Sequence, residues 1–371
     1  MVSSFSVVRA DQIVRFVMDC RLLLLLTISL CTVQQSSSAM QCLNQNGDPV
    51  DWFIVYKMPK LRHEKETEFG EGVAQYYLDG QTPSWTLSSQ PINATTGHAV
   101  YHTLQQIYKA QKDSIFYLMF NDEKPSGSKS LSHGHTKGVL GFDDKSGFWL
   151  IHSAPQFPPE QKDGYQWASN ACDFGQSFLC VSFAYKSLGI LAEQLLFYYP
   201  YIYDYNLPKT TLAEFPRLAD LVNSTRIEKP PYFSIRHDLS SLAGTPLISF
   251  AKFTYFGADL YDALVSPTLK ASLLVESWQN GIGRLGNNCS VGVYNIDEVI
   301  LPGDHFFKET KDHSKYAVSL SPAGWVCVGG INRESTQFKR GGGTMCFQNQ
   351  DVWKSYMNMI TFFHSCPNEK H

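Results

Sequence analysis

Two short segments of this 371-residue chain pair an imidazole with an ammonium group: Gly134-His135-Thr136-Lys137-Gly138 and Asp312-His313-Ser314-Lys315-Tyr316. In each, a His, a hydroxyl residue and a Lys lead into an apolar, strand-like run. Residues i and i+2 of a strand point to one face, so His135 projects with Lys137 and His313 with Lys315. If the two pairs meet at a pseudo-twofold interface, two imidazoles and two ammonium groups surround one point. Phosphodiester hydrolysis suits that set. One imidazole attacks phosphorus to give a covalent phosphohistidine; the other protonates the leaving alkoxide and then activates water. The lysines hold the non-bridging oxygens as negative charge builds. The cations are built in, so no cofactor and no metal is expected. A single exposed His-x-Lys pair is usually a solvated strand edge; the reading rests on there being two. His133-Gly134-His135 lacks a third ligand at zinc-site spacing. For the roles, small neighbours leave room for phosphorus at His135, and Asp312 beside His313 favours an imidazolium there. That points to His135 as nucleophile and His313 as acid, with the reverse left open by the symmetry.

The elements that must hold these residues read as mixed α/β. Strand composition marks 52–57, 115–120, 137–142, 148–152, 177–183, 272–276, 316–320 and 325–329. Helical periodicity marks 99–110, 188–197 and 352–363. His135 and His313 are 178 positions apart, and the same step from Met40 lands at position 218. That position falls in a proline-interrupted zone, 208–231, ending in Lys229-Pro230-Pro231, the best place for a connection between halves. The expected domains are residues 40–215 and 216–371. The run Arg340-Gly341-Gly342-Gly343-Thr344 reads as a flexible turn or a phosphate cradle without a Walker lysine. Tyr198-Tyr199-Pro200-Tyr201 reads as core or surface filler before it reads as a base-stacking platform.

With 43% hydrophobic, 13% aromatic and 18% charged residues and a net charge of −3, the chain is globular, neither disordered nor a polybasic binder. Arg15 and Arg21, an apolar run from Leu22 to Leu30 and the small residues Ser36 to Ala39 make a signal peptide over 1–39. An uncleaved anchor is the alternative, and Met18 serves as initiator as well as Met1. No later segment approaches the length of a membrane span. The remaining chain carries 28 basic and 32 acidic residues together with all eleven His. Protonating every His would move its charge to roughly +7, turning an acid-exposed surface toward polyanions. Seven cysteines remain after the leader, with no zinc-module spacing, so disulfides are expected and one thiol is left over. Sequons at Asn93, Asn223 and Asn288 agree with passage through the secretory pathway.

Taken together, these segments resemble the lysosomal deoxyribonuclease II family. The resemblance runs from Pro49-Val50-Asp51-Trp52-Phe53-Ile54-Val55-Tyr56-Lys57 through the first His-x-Lys pair to Phe148-Trp149-Leu150-Ile151-His152-Ser153 and Phe157-Pro158-Pro159. It continues through Ser249-Phe250-Ala251-Lys252-Phe253, the second pair and the glycine run. It implies a phospholipase D-like pseudodimer, two related α/β halves each with a central sheet flanked by helices, with His135, Lys137, His313 and Lys315 at the centre. It implies a metal-independent acid endonuclease that leaves 3′-phosphate and 5′-hydroxyl ends on DNA, in the lysosome or secreted. The chain departs from the wider phospholipase D pattern, because the positions five after each Lys are Phe142 and Leu320 where an Asp is usual. His152 and Asn332 stand near the place of a usual Asn and are expected as supporting groups. Lys57, Lys252 and Arg340, within the resembling segments, are expected to bind substrate. Relatives often carry a Cys where this chain has Ala317. The resemblance then suggests bridges Cys42–Cys180, Cys289–Cys366 and Cys327–Cys346, with Cys172 free. DNA is the expected partner; no protein partner is evident, and a homodimer is left open. A phosphodiesterase for lipid or small diesters and a silent secreted DNA-binding homologue are the competing functions.

Overall fold

Alternation along the strands determines how the layers stack. In the computed structural model, which describes residues 39–64, 67–111, 113–227 and 233–366, Trp52, Ile54 and Tyr56 face one core while Phe53 and Val55 face another. Odd and even residues of one strand thus serve two apolar layers, as a sheet covered on both faces requires. The expected signal peptide, Ala39 apart, and the Lys229-Pro230-Pro231 stop lie outside the described residues.

The first sheet comprises β1 (Trp52–Lys57), β2 (Gln75–Asp79), β3 (Thr86–Leu87), β4 (Phe116–Asn121), β5 (Lys137–Phe142), β6 (Ser146–His152), β7 (Gln176–Ala184) and β8 (Ile202–Asn206), in the order β3-β2-β1-β7-β6-β5-β4-β8. The second comprises β9 (Ser234–Ser240), β10 (Pro246–Lys252), β11 (Leu273–Glu276), β12 (Val293–Leu301), β13 (His305–Lys308), β14 (Tyr316–Ser319), β15 (Trp325–Gly329) and β16 (Gly342–Gln348), in the order β13-β12-β11-β14-β15-β16-β10-β9, with β17 (Ile360–Phe363) against β12. The five central strands correspond in position and in chain order, β1-β7-β6-β5-β4 with β10-β16-β15-β14-β11, whereas the flanking strands do not: β2 follows β1 but β9 precedes β10, and β8 follows β7 but β12 falls between β11 and β14. One pairing differs in sense: β4 and β8 are antiparallel, whereas β11 and β12 are parallel.

A single large core contains residues of both sheets, among them Ile54, Trp149, Val318 and Val328. Helices α1 (Ala99–Tyr108), α2 (Leu188–Tyr198) and α3 (Gln350–Met359) complete the layers. The outer face of the first sheet is covered by α1, through Val100, Leu104 and Ile107 at helical spacing. The shared core holds α2, buried on nearly every side, and Val352, Tyr356 and Met359 of α3. Asn349 caps α3 through its side-chain oxygen, which accepts from the amides of Asp351 and Val352. The helix expected over 352–363 ends at Met359, and the rest joins the second sheet as β17. Strands β2, β9, β10, β12 and β16 carry too mixed a pattern to be read from sequence. The proline-interrupted zone contains two short helices, Lys209–Glu214 and Arg217–Val222.

The disulfides are Cys42–Cys180, Cys289–Cys366 and Cys327–Cys346, and Cys172 is free, as the resemblance suggested. Asn93 and Asn223 are exposed, whereas Asn288 is half-buried and its amide nitrogen donates to Asp262. Among the described residues no helix is long and apolar enough to cross a membrane.

Candidate active site

Both His-x-Lys segments approach their strands from just outside them. Lys137 opens β5, with His135 two residues before it; Lys315 immediately precedes β14. The two segments meet. The charges of Lys315, Lys137, His135 and Lys57 all reach His313, and with burial they push its imidazole down to about 2. Burial also holds His135 well below its ordinary range, although the Asp122 carboxylate pulls in the opposite direction. Burial and the neighbouring Lys137 push the Lys315 ammonium down to about 7.

The two imidazoles are seated crosswise. Lys57, the last residue of β1, donates to the carbonyls of Cys172 (3.0 Å) and Phe174 (2.6 Å). The loop held in this way stacks Phe174 on His313, with ring centres 4.2 Å apart and planes 2° from parallel, and its Gly175 carbonyl accepts from the His313 amide at 2.9 Å. Trp278 closes the other side edge-on at 4.0 Å, and the His313 Nε2 is buried with no hydrogen-bond partner among the described residues. Lys252, the last residue of β10, occupies the matching place in the second sheet. It donates to the carbonyls of Gln337 (2.7 Å) and Arg340 (2.8 Å). The loop it holds presents the Gln337 amide oxygen to His135 Nδ1 at 2.9 Å and the Gly341 carbonyl to the His135 amide at 2.9 Å. Each sheet's loop therefore fixes the other sheet's His.

That geometry corrects the reading of three residues. Lys57, Lys252 and Arg340 do not offer free cations to a substrate, because backbone carbonyls occupy them. Arg340 donates to the carbonyls of Ser130, His133 and Gly134 and to Asp122 Oδ2, all at 3.0–3.1 Å. They are braces. Burial pushes Lys57 down to about 7 and Lys252 to about 8. The glycine run is neither a turn nor a cradle: it begins β16, and a Cβ on Gly341 would lie 2.4 Å from the Tyr198 carbonyl. A Cβ on Gly134 would lie 1.9 Å from the same oxygen, so both glycines exist for this close approach.

Asp122 is the main residue that sequence reasoning missed. It stands one position past β4 and accepts from Lys137 Nζ and Arg340, with His135 Nε2 at 4.0 Å. Burial opposes its ionisation, but the charges of Lys137, His135 and Arg340 outweigh this and hold the carboxyl well below its ordinary range. Nothing in Asn121-Asp122-Glu123 marks this role; only the fold brings it to residues 137 and 340. Gln337, Phe174 and Trp278 were missed for the same reason. Asp312, by contrast, turns away from His313. Its carboxylate accepts from the Tyr56 hydroxyl and from the Ser314 amide and hydroxyl. The ground for making His313 the acid is therefore absent, since neighbours in an extended chain face opposite sides.

His152 pairs with Lys137 across β5 and β6 and packs on Phe178 and edge-on to Phe157. Burial and the charge of Lys137 push it down to about 3, so it packs beside the lysine as a neutral ring. Asn332 is buried next to Arg333, and no hydrogen bond joins it to either His among the described residues. Among the same residues no three His, Cys, Asp or Glu side chains are grouped to hold a metal ion.

Replacing Arg340 with Met leaves Asp122 and three loop carbonyls, that of Gly134 buried, short of a donor. Loss of one partner of a buried ion pair costs about 3–5 kcal/mol, and retention of Lys137 on Asp122 places this case near the lower end. The expected result is a urea midpoint lowered by about 3 kcal/mol of stability, with an unchanged midpoint counting against the bracing role.

A sequence-family profile described as Deoxyribonuclease II matches residues 41–366. The chain is 38% identical over 349 residues to Plancitoxin-1 of Acanthaster planci, covering 92% of this chain and 97% of that one. It is 38% identical over 340 residues to Deoxyribonuclease-2-alpha of Mus musculus, covering 89% and 94%. It is also 38% identical over 353 residues to Cell death-related nuclease 6 of Caenorhabditis elegans, covering 91% and 92%. Among solved structures, the phosphatidylserine synthase of Haemophilus influenzae Rd KW20 aligns over 63% of each chain at 10% identity and a TM-score of 0.31, a likeness that bears no weight.

Proposed function

The chain belongs to the deoxyribonuclease II family, and from that premise we propose that it is an acid-favoured endonuclease cutting DNA through a covalent phosphohistidine. The crossed seating of His135 and His313, one from each sheet, is the observation that carries this reading. The shared order of the five central strands supports two related halves, 40–215 and 216–371, and a pseudodimer descended from one duplicated phospholipase D-like module.

His313 is the nucleophile in this mechanism. Its Nε2 is desolvated and unpartnered, and surrounding cations keep the ring neutral with its lone pair free. The bond from Nε2 to phosphorus forms as the bond to the 5′ oxygen breaks, leaving the upstream fragment attached to the enzyme through its 3′-phosphoryl group and releasing the downstream fragment with a 5′-hydroxyl. His135 is the acid. Its Nδ1–H points to Gln337, so a proton on Nε2 goes to the leaving oxygen, with the Asp122 charge favouring the imidazolium. Neutral again, His135 takes a proton from water, which attacks phosphorus and releases a 3′-phosphate and free His313. Lys137 and Lys315 hold the non-bridging oxygens in both steps.

Acid preference follows from the lysines as well as the imidazoles. An ammonium group pushed down to about 7 is charged below that pH and loses its proton above it, so Lys315 offers full positive charge only on the acid side. A bound phosphodiester anion also raises the proton affinity of His135. The expected result is plasmid nicking at acid pH, with kcat/KM falling as pH rises through about 7. The same activity should persist in chelator, because Lys137 and Lys315 supply the cations. A flat pH profile, or loss in chelator reversed by a divalent ion, would refute those respective parts. Three disulfides fit an oxidising compartment; the acid preference points within it to the lysosome.

A further inference from the structure

The loop that carries His135 also forms one wall of an open cleft that the mechanism above does not use. Ser132, Arg226, Thr254, Tyr255, Gly257 and Lys339 enclose about 490 Å³, and the lining is largely apolar between two cations. Both flanking walls seat His135: Ser132 lies three residues before it, and Lys339 lies between Gln337 and Gly341, which bind its ring and its amide. The floor is tied down from the same place, since Lys252, two residues before Thr254, bonds the carbonyls of Gln337 and Arg340.

We propose that this cleft is a nucleotide subsite beside His135, in which an unstacked base lies on Tyr255 and its phosphate meets Arg226 and Lys339. The proposal rests on the nuclease reading and adds where the strand runs next to the scissile bond. Tyr255 is 53% exposed, yet its ring is held edge-on by Phe233 at 5.7 Å and Phe253 at 5.6 Å. An exposed aromatic already fixed by packing loses little freedom when a base stacks on it. The Arg226 guanidinium sits 5.1 Å from the Tyr199 ring centre and 5.9 Å from that of Tyr255, poised at the cleft edge. Neither Arg226 nor Lys339 pairs with a carboxylate among the described residues, so both charges are available to phosphate. The wall behind Ser132 is stiff as well. His133 is stacked between Tyr199 at 4.7 Å and Tyr201 at 4.8 Å, and Lys124 lies 3.7 Å from the Tyr201 ring centre.

The test measures binding without turnover, using the full chain carrying His313→Ala as parent, a fluorescein-labelled single-stranded oligothymidylate, and polyphosphate as a polyanion without bases. Adding Tyr255→Ala should weaken oligonucleotide binding about tenfold, the scale of one base–aromatic stack, and leave polyphosphate binding unchanged. Tyr255→Phe should bind like the parent. Arg226→Gln with Lys339→Gln should weaken both ligands. Unchanged oligonucleotide binding in Tyr255→Ala, an equal loss for polyphosphate, or a Phe variant as weak as Ala overturns the subsite. Cleavage of DNA by the wild-type chain is scored separately. Cleavage with an unaffected Tyr255→Ala removes the subsite alone. No cleavage together with a tenfold effect of Tyr255→Ala removes the hydrolytic reading alone, and neither cleavage nor parent binding removes both.

Discussion

His313→Ala should lower DNA cleavage by roughly 10⁴ or more, the scale on which loss of a nucleophile is felt in enzymes that work through covalent intermediates. His135→Ala should lower it comparably, because no second group stands ready to protonate the 5′ oxygen. The two variants part company on a diester whose leaving group is p-nitrophenolate. That anion departs without a proton, so His135→Ala should release one equivalent of p-nitrophenol per enzyme in a burst. It then stalls, since hydrolysis of the phosphohistidine needs the missing base. His313→Ala should show no burst. Alkaline denaturation, which preserves phosphohistidine, followed by peptide mapping should find the phosphoryl group on the His313 peptide. A burst in His313→Ala with phosphate on the His135 peptide would reverse the roles. No trapped phosphate and no burst in either would favour direct attack by water. Circular dichroism on both variants separates a chemical loss from an unfolded chain. Burial holds both rings below their ordinary range, and Asp122 keeps Lys137 and Arg340 as partners when His135 is removed, so neither variant leaves an unpaired buried ion.

Lys137→Ala and Lys315→Ala should each lower kcat about 10²–10³, the cost of removing one preorganised donor from a developing oxyanion. Their side effects differ. Lys137 is bonded to Asp122, which also faces His135 Nε2 and Arg340, so its removal leaves that carboxylate to pull harder on the imidazole. Lys137→Ala should therefore lose rate while its remaining activity extends toward higher pH. Lys315 bonds the His313 carbonyl and has no carboxylate bonded to its ammonium among the described residues. Its own proton is the one lost near pH 7, so Lys315→Ala should be slow at every pH and show a shallower fall through that region. Identical pH profiles for both variants would mean that the two lysines act only as interchangeable charge.

Local chemistry made much of this protein legible in its sequence. Two His-x-Lys pairs at strand entrances, aromatic and β-branched runs over β1, β5 and β15, and the apolar periodicity of α1 and α2 are patterns within a few residues of one another. Such patterns follow from chain stereochemistry whatever surrounds them. The strand over Gly342–Gln348 escaped because glycine reads as a turn; it is a strand here because Tyr198 and Phe250 approach too closely for any Cβ. The site itself divides along the same line. The identities of the four reacting side chains are local, but their roles depend on groups more than a hundred positions away, such as Gln337 on His135 and Phe174 on His313. Asp312 shows the limit most directly: adjacent in sequence to His313, it faces Tyr56, while the carboxylate beside His135 is that of Asp122, at the neighbouring strand's end. The expectation that Lys57 and Lys252 bind substrate comes from their place within the segments that resemble the family. The carbonyls that accept from these ammonium groups are brought to them only when two loops close over the ends of two sheets. Electrostatic interactions act through space, and which charges become neighbours is decided by the packing of β-sheets rather than by order along the chain.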